Sequence, residues 1–201
     1  MTVRQVRGPA VRERVLDAAE TLFHRDGIAR TGVDAVIAEA GVSTATLYAH
    51  FGGKDSLVAA YLERRLARWC RVWDDAVAAA TTPEDRLLAV FDALARFRDD
   101  QPATRGCAFL ATAVELPGPD HPARAVVAAE TAHLRDRLRS LAADLPVADP
   151  DALADDVLMA YDGTLSAFLR GAGDDAVARG RILAGIAVTA ACAGRREPGG
   201  V

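Results

Sequence analysis

Residues 40–57 read AGVSTATLYAHFGGKDSL. Gly41 breaks one helical pattern, Ser43 stands where a side-chain oxygen caps the next, and Gly52-Gly53 end that one after about two turns. A helix of that length is not held by propensity, because the cost of nucleating it is not recovered over so few backbone bonds. The helix over 44–51 must therefore be clamped by its neighbours through Val42, Leu47 and Phe51. The stretch before it, about 32–40, is itself helical in pattern. Two helices joined by a short glycine turn are a helix-turn-helix.

The flanks supply the clamp. Over 10–26, Val11, Val15, Leu16, Ala19, Leu22 and Phe23 fall on one helical stripe that Gly27 stops. Lys54-Asp55 opens a fourth helix running to about Ala80, and Phe23 and Leu57 are the expected packing partners of the short helix. Thr31 followed three residues later by Asp34 predicts a capping box for the second helix. Beyond Pro83 the pattern gives a helix, a loop from Pro102 to Arg105, and a short helix over 107–116. A long helix follows from Pro122 to about Leu145, then two more over 151–170 and 174–193, separated by GAGDD. No segment alternates with period two. The expected fold is all-α, with eight or nine helices: a three-helix, helix-turn-helix head joined by the fourth helix to a C-terminal helical bundle. The expected divisions are a flexible arm over 1–9 carrying Arg4 and Arg7, a head over 10–55, a body over 56–194 and a tail over 195–201.

The 201 residues are 51% hydrophobic and 26% charged, which is globular composition, and alanine-rich with few aromatics, which favours close helix packing. Net charge is −4, so no global basic character announces nucleic acid. The distribution is uneven. Residues 1–65 hold nine Lys and Arg against eight Asp and Glu; the rest hold fifteen against twenty, a balance of −5. Lys54 is the only lysine. Cys70, Cys107 and Cys192 form no CxxC pair, which predicts reduced thiols in a cytoplasmic protein. The sequence shows neither a leader pattern nor a long uncharged apolar run, so no membrane association is expected.

The polar residues around the short helix divide into two chemical roles. Ser43, Thr44, Ala45 and Thr46 are small and sit at its start, where hydroxyls and methyls can meet base edges in a major groove. Tyr48 and His50 sit at its far end, where they can reach phosphate oxygens. Lys54 adds an ammonium to a helix N-terminus whose free N–H groups already favour an anion.

Residues 12–57 resemble the TetR family of bacterial transcriptional repressors. RVLDAAETLFHRDG, the AGVS turn, the Tyr-x-His-Phe ending and a lysine three residues after that phenylalanine occur together, in order and spacing. The resemblance implies a homodimer with an N-terminal head that binds double-stranded DNA at a palindromic operator. It also implies a body that binds a small-molecule effector and thereby releases the operator. By motif, Thr31, Thr44, Thr46, Tyr48, His50 and Lys54 would be DNA contacts. Three positions depart from the family pattern: Ile37 where a small residue is usual, and Thr44-Ala45 where a basic residue and glycine are usual. The operator sequence is therefore not transferable.

The rear of the chain offers a pocket set and a partner face. Trp69, Trp73, Cys107, Phe109, Leu110, Met159 and Tyr161 combine apolar surface with a few polar atoms, as effector pockets do. Plain core packing is the other reading of these residues. Leu153, Val157, Leu165 and Phe168, with Ile182, Ile186 and Ala190, predict a four-helix dimer interface; the alternative is an internal bundle. Glu130 and His133 form Glu-x-x-His without the further glutamates or second copy that a di-iron bundle needs, so no metal is expected. No cofactor is called for, and no catalytic constellation or phosphate loop supports an enzyme. A small-molecule carrier without DNA binding is a second reading, opposed by the intact Tyr48, His50 and Lys54.

Overall fold

The computed structural model describes residues 8–99, 107–116, 118–171 and 175–194. Residues 1–7 of the expected arm, the 102–105 loop, most of GAGDD and the tail lie outside them; the last two residues of that arm, Gly8 and Pro9, instead open the first helix. Among the described residues there are nine α-helices and no strand: α1 (Gly8–Asp26), α2 (Val33–Ala40), α3 (Thr44–Phe51), α4 (Lys54–Ala79), α5 (Pro83–Asp99), α6 (Ala108–Glu115), α7 (Ala123–Ala142), α8 (Pro150–Leu169) and α9 (Ala176–Gly194). The all-α expectation stands, and helix ends agree with the glycine and proline signals to within a few residues.

The chain packs as two units. The first takes residues up to Arg65 together with Ala108–Ala128; the second takes Leu66–Cys107 and the chain from Ala129. The packing thus divides α4 near its middle and adds α6 and the start of α7 to the N-terminal helices.

In the first unit α1 buries Val15, Leu16, Ala19, Leu22 and Phe23. On α4, Leu57, Val58, Tyr61 and Leu62 are buried, and the Phe23 and Tyr61 rings stand edge to face at 5.5 Å. Each such fully buried side chain contributes on the order of 2 kcal/mol. The solvent side of the same pair is tied by charge. Arg64 reaches Asp17 at 2.6 Å, Glu20 at 2.6 Å and Glu13 at 3.2 Å. A fork of guanidinium donors spanning two turns of α1 fixes the register of α1 against α4.

The second unit is built on Trp69 and Trp73 of α4, Leu87, Val90 and Phe91 of α5, Leu134 and Leu138 of α7, Leu153, Val157, Tyr161 and Leu165 of α8, and Ala184 and Val188 of α9. Small residues set how closely these helices approach. A Cβ at Gly180 of α9 would overlap the Thr164 hydroxyl and lie 2.7 Å from Cε1 of Phe91. By length and composition α9 could also cross a bilayer, but its stripe through Ala176, Gly180, Ala184 and Val188 is buried.

One local expectation is corrected. Thr31 does not cap α2; the N-cap is Gly32, with no side-chain cap. The Thr31 hydroxyl turns inward and donates to the carbonyls of Gly27 at 2.7 Å and Leu22 at 3.4 Å, closing the end of α1 instead.

Candidate nucleic-acid interface

The turn between α2 and α3 follows from one left-handed residue. Gly41 has φ +61°, a conformation that a side chain disfavours, and its N–H donates to the last carbonyls of α2. Val42 N–H donates to Ile37 O at 3.3 Å, so the chain reverses without leaving α2 uncapped. Ser43 then opens α3 as its N-cap. Its hydroxyl accepts the Thr46 N–H at 3.1 Å and shares a hydrogen bond with the Thr46 hydroxyl at 2.8 Å. At the far end Gly52 (φ +72°) returns its N–H to Tyr48 O at 2.8 Å.

Between those caps α3 has two sides. Leu47 and Phe51 are buried, Val42 is half-buried just before it, and the Arg12 guanidinium of α1 lies 5.4 Å from the Phe51 ring centre. Ser43, Thr44, Ala45, Tyr48, Ala49 and His50 are exposed, and Tyr48 is 50% exposed although it is a large aromatic residue. Thr46 is half-buried, its hydroxyl engaged with Ser43. Lys54 heads α4 immediately after α3, and its ammonium donates to the Ala29 carbonyl at 3.4 Å on the surface. One donor is so used; an ammonium has three. The structure thus brings Ser43, Thr44, Ala45, Thr46, Tyr48, His50 and Lys54 together around one short helix. It removes Thr31, which is 4% exposed with its hydroxyl donating inside and cannot meet a phosphate.

The chain matches the family model for bacterial regulatory proteins of the tetR family over residues 15–61, and that for the tetracyclin repressor-like C-terminal domain over residues 83–184. It belongs to the TetR family. Whole-length likeness agrees: the crystal structure of a TetR-family regulator, SCO4454 from Streptomyces coelicolor, superposes with TM-score 0.84 at 28% identity, over 92% of this chain and 97% of that one. A TetR-type regulator from Streptomyces avermitilis is 33% identical over 90% of this chain and 97% of its own, with TM-score 0.75. Among curated relatives, an HTH-type transcriptional regulator of Mycobacterium tuberculosis is 36% identical over 91 residues. The HTH-type regulator BetI of Brucella canis is 34% identical over 82 residues. The chain spans 45% of the length of the first of these and 41% of the second.

The rest of this TetR-family chain departs from the sequence expectations. The seven pocket candidates fall in both units and differ in burial. Trp69, Trp73 and Tyr161 are core residues, with Trp69 5.8 Å from Trp73 and 6.0 Å from Tyr161, ring centre to ring centre. Cys107 packs half-buried on that core, while Phe109 is buried and Leu110 exposed in the first unit. Met159 is 74% exposed and lines a surface groove of about 910 Å³ between α8 and α9. The interface candidates split likewise. Leu153, Val157 and Leu165 are buried inside their own protomer, and the Phe168 ring is half-buried under the Arg98 guanidinium at 3.5 Å. Ile182 and Ile186 are 61% and 60% exposed, and Ala190 is exposed too. Met159 and Leu183 share that exposed apolar surface and were not expected there. Their signal was a second apolar stripe on each helix, which periodicity alone does not assign to core or surface.

The Glu-x-x-His pair of α7 is also divided. Glu130 is buried, and burial followed by the nearby Asp162 charge pushes its carboxyl up to about 7. His133 turns to Cys70, with Nε2 3.3 Å from the sulfur, and stands edge to face on Trp73 at 5.9 Å. Burial, then the Arg137 charge, lowers the His133 pKa.

Proposed function

We propose that this chain is a cytoplasmic transcriptional repressor, not an enzyme, that binds DNA as a homodimer and is released from an inverted-repeat operator by a small molecule. The head over 10–55 reads DNA and the body over 56–194 carries dimerisation and effector binding. The observation that carries the reading is α3 itself: a two-turn helix capped at both ends, clamped by Leu47 and Phe51, with Thr44, Ala45, Tyr48 and His50 turned outward. Thr44 and Ala45 meet base edges, while Tyr48, His50 and Lys54 hold phosphates.

Exposed Met159, Ile182, Leu183 and Ile186 support the dimer, because large apolar side chains this close together on a surface favour a partner. Two copies of α8 and α9 across a two-fold axis would cover them. Effector binding draws support from the second unit, where the indole N–H groups of Trp69 and Trp73 are buried without a hydrogen-bond acceptor. Buried donors left unpaired are costly, and a ligand carbonyl or ether oxygen would satisfy them.

Selection of bound duplexes from a random pool tests the reading. The expected product is an inverted repeat with half-sites about 34–36 Å apart or slightly more. Recovery of no enriched sequence contradicts it.

A further inference from the structure

The chain passes between its two units three times: at residues 65–66 inside α4, at 107–108 just before α6, and at 128–129 inside α7. The segment between the second and third passages belongs to the first unit, and two polar contacts fasten it there. Glu115, the last residue of α6, accepts the Ala29 N–H on Oε2 at 2.9 Å, across 86 residues of sequence. Ala29 lies in the connection from α1 to α2, and its carbonyl is the one that Lys54 holds. One residue is thus gripped by both its backbone polar groups. The second contact is His121, whose side chain is 7% exposed and whose Nε2 lies 3.3 Å from Oδ1 of Asp55. His121 Nδ1 accepts the Ala123 N–H at 3.1 Å, so in the neutral ring Nε2 carries the hydrogen and donates it to Asp55.

The stretch between these contacts is braced. Arg124 donates from Nε to Gly118 O and from a terminal nitrogen to Leu116 O at 3.1 Å, and Leu116 and Ala123 are buried. Arg124 thus ties Leu116, next to Glu115, and Gly118 to the start of α7, next to His121. The partners of Glu115 and His121 bracket the reading helices: Ala29 precedes α2, and Asp55 follows α3 beside Lys54.

We propose that Glu115 and His121 are positioning residues that set the orientation of α2 and α3 from both ends. The proposal rests on the DNA-binding reading for its consequence, and its geometric half is testable without DNA.

The test measures amide hydrogen exchange at Ala29 and over 33–51, together with affinity for the duplex that the wild type selects from a random pool. Glu115→Ala is expected to speed exchange at Ala29 and through α2 and α3, and to weaken binding about tenfold, with helix content unchanged by circular dichroism. Glu115→Gln keeps a carbonyl acceptor and restores both. His121→Asn keeps an acceptor for Ala123 N–H but cannot reach Asp55, and it shifts both readouts in the direction of Glu115→Ala. Unchanged exchange at Ala29 in Glu115→Ala overturns the proposal, as does altered exchange with full affinity, or a Gln variant that behaves like Ala. If exchange changes as expected while the wild type selects no duplex, the positioning role stands and the DNA-binding reading alone falls.

Discussion

Helices α3 and α9 both turn one side to solvent, and they do so for opposite reasons. α3 has eight residues, buries Leu47 and Phe51, and shows threonine, alanine, tyrosine and histidine. α9 has nineteen residues, buries a stripe of small ones, and shows Ile182, Leu183 and Ile186. An exposed polar side on a helix too short to stand alone is a surface held out for a polar partner. An exposed apolar side on a long, well-packed helix is a surface waiting to be covered. The first kind is specified by caps and turns within a dozen residues. The second depends on which of two apolar stripes the rest of the unit covers.

The contrast breaks most sharply on α9. Changing Ile182 and Ile186 together to Asp places charge on the exposed stripe without touching the core, and is expected to convert a dimer wholly to monomer in sedimentation velocity at micromolar concentration, with unchanged helix content. A wild type that already sediments as a monomer would remove the partner face. Next comes the clamp of α3. Leu47→Ala opens a cavity under the reading helix and is expected to lower stability by about 3 kcal/mol in urea denaturation, and DNA affinity with it. A cost near zero would mean that α3 is not held from beneath.

A third test uses charge burial in the body. Glu130 has a raised pKa of about 7 in the folded chain, against 4.5 ordinarily. Between those values the folded state binds more protons than the unfolded one, so this group's contribution to stability is complete below pH 4.5 and is lost as pH rises through 7. Glu130→Gln is therefore expected to be more stable than wild type at pH 8 by about 3 kcal/mol, with the gap narrowing toward pH 5. A gap independent of pH would show that Glu130 is not charged at a cost. The smallest effect belongs to the cap: Ser43→Ala removes the oxygen that accepts Thr46 N–H and is expected to cost about 1 kcal/mol, read by the same denaturation.

What was legible follows the same division. Gly41, Ser43 and Gly52 act through backbone geometry and hydrogen bonds a few residues away, so the sequence shows α3 and its caps directly. Thr31 misleads because Thr-x-x-Asp fits a capping box, yet Thr31 fell one residue short of the N-cap and its hydroxyl found the end of α1. Leu153, Val157 and Leu165 read as a partner face, but α5 and α9 cover them within the protomer, and only tertiary packing decides that. The pocket set is divided for a related reason: within the second unit Trp69, Trp73 and Tyr161 face the core while Met159 faces solvent, and no local pattern tells the two apart. Ala29 and Glu115 are 86 residues apart, and no local pattern joins them.

The claim at the centre is that the groups flanking α3 neutralise phosphates. The most direct measurement is the salt dependence of binding to the selected duplex for wild type and Lys54→Ala. Loss of one phosphate contact per protomer is expected to reduce the slope of log K against log salt by about 0.9 per protomer while leaving sequence preference unchanged. An identical slope in the two proteins would show that the Lys54 ammonium does not touch the DNA backbone and would contradict the account.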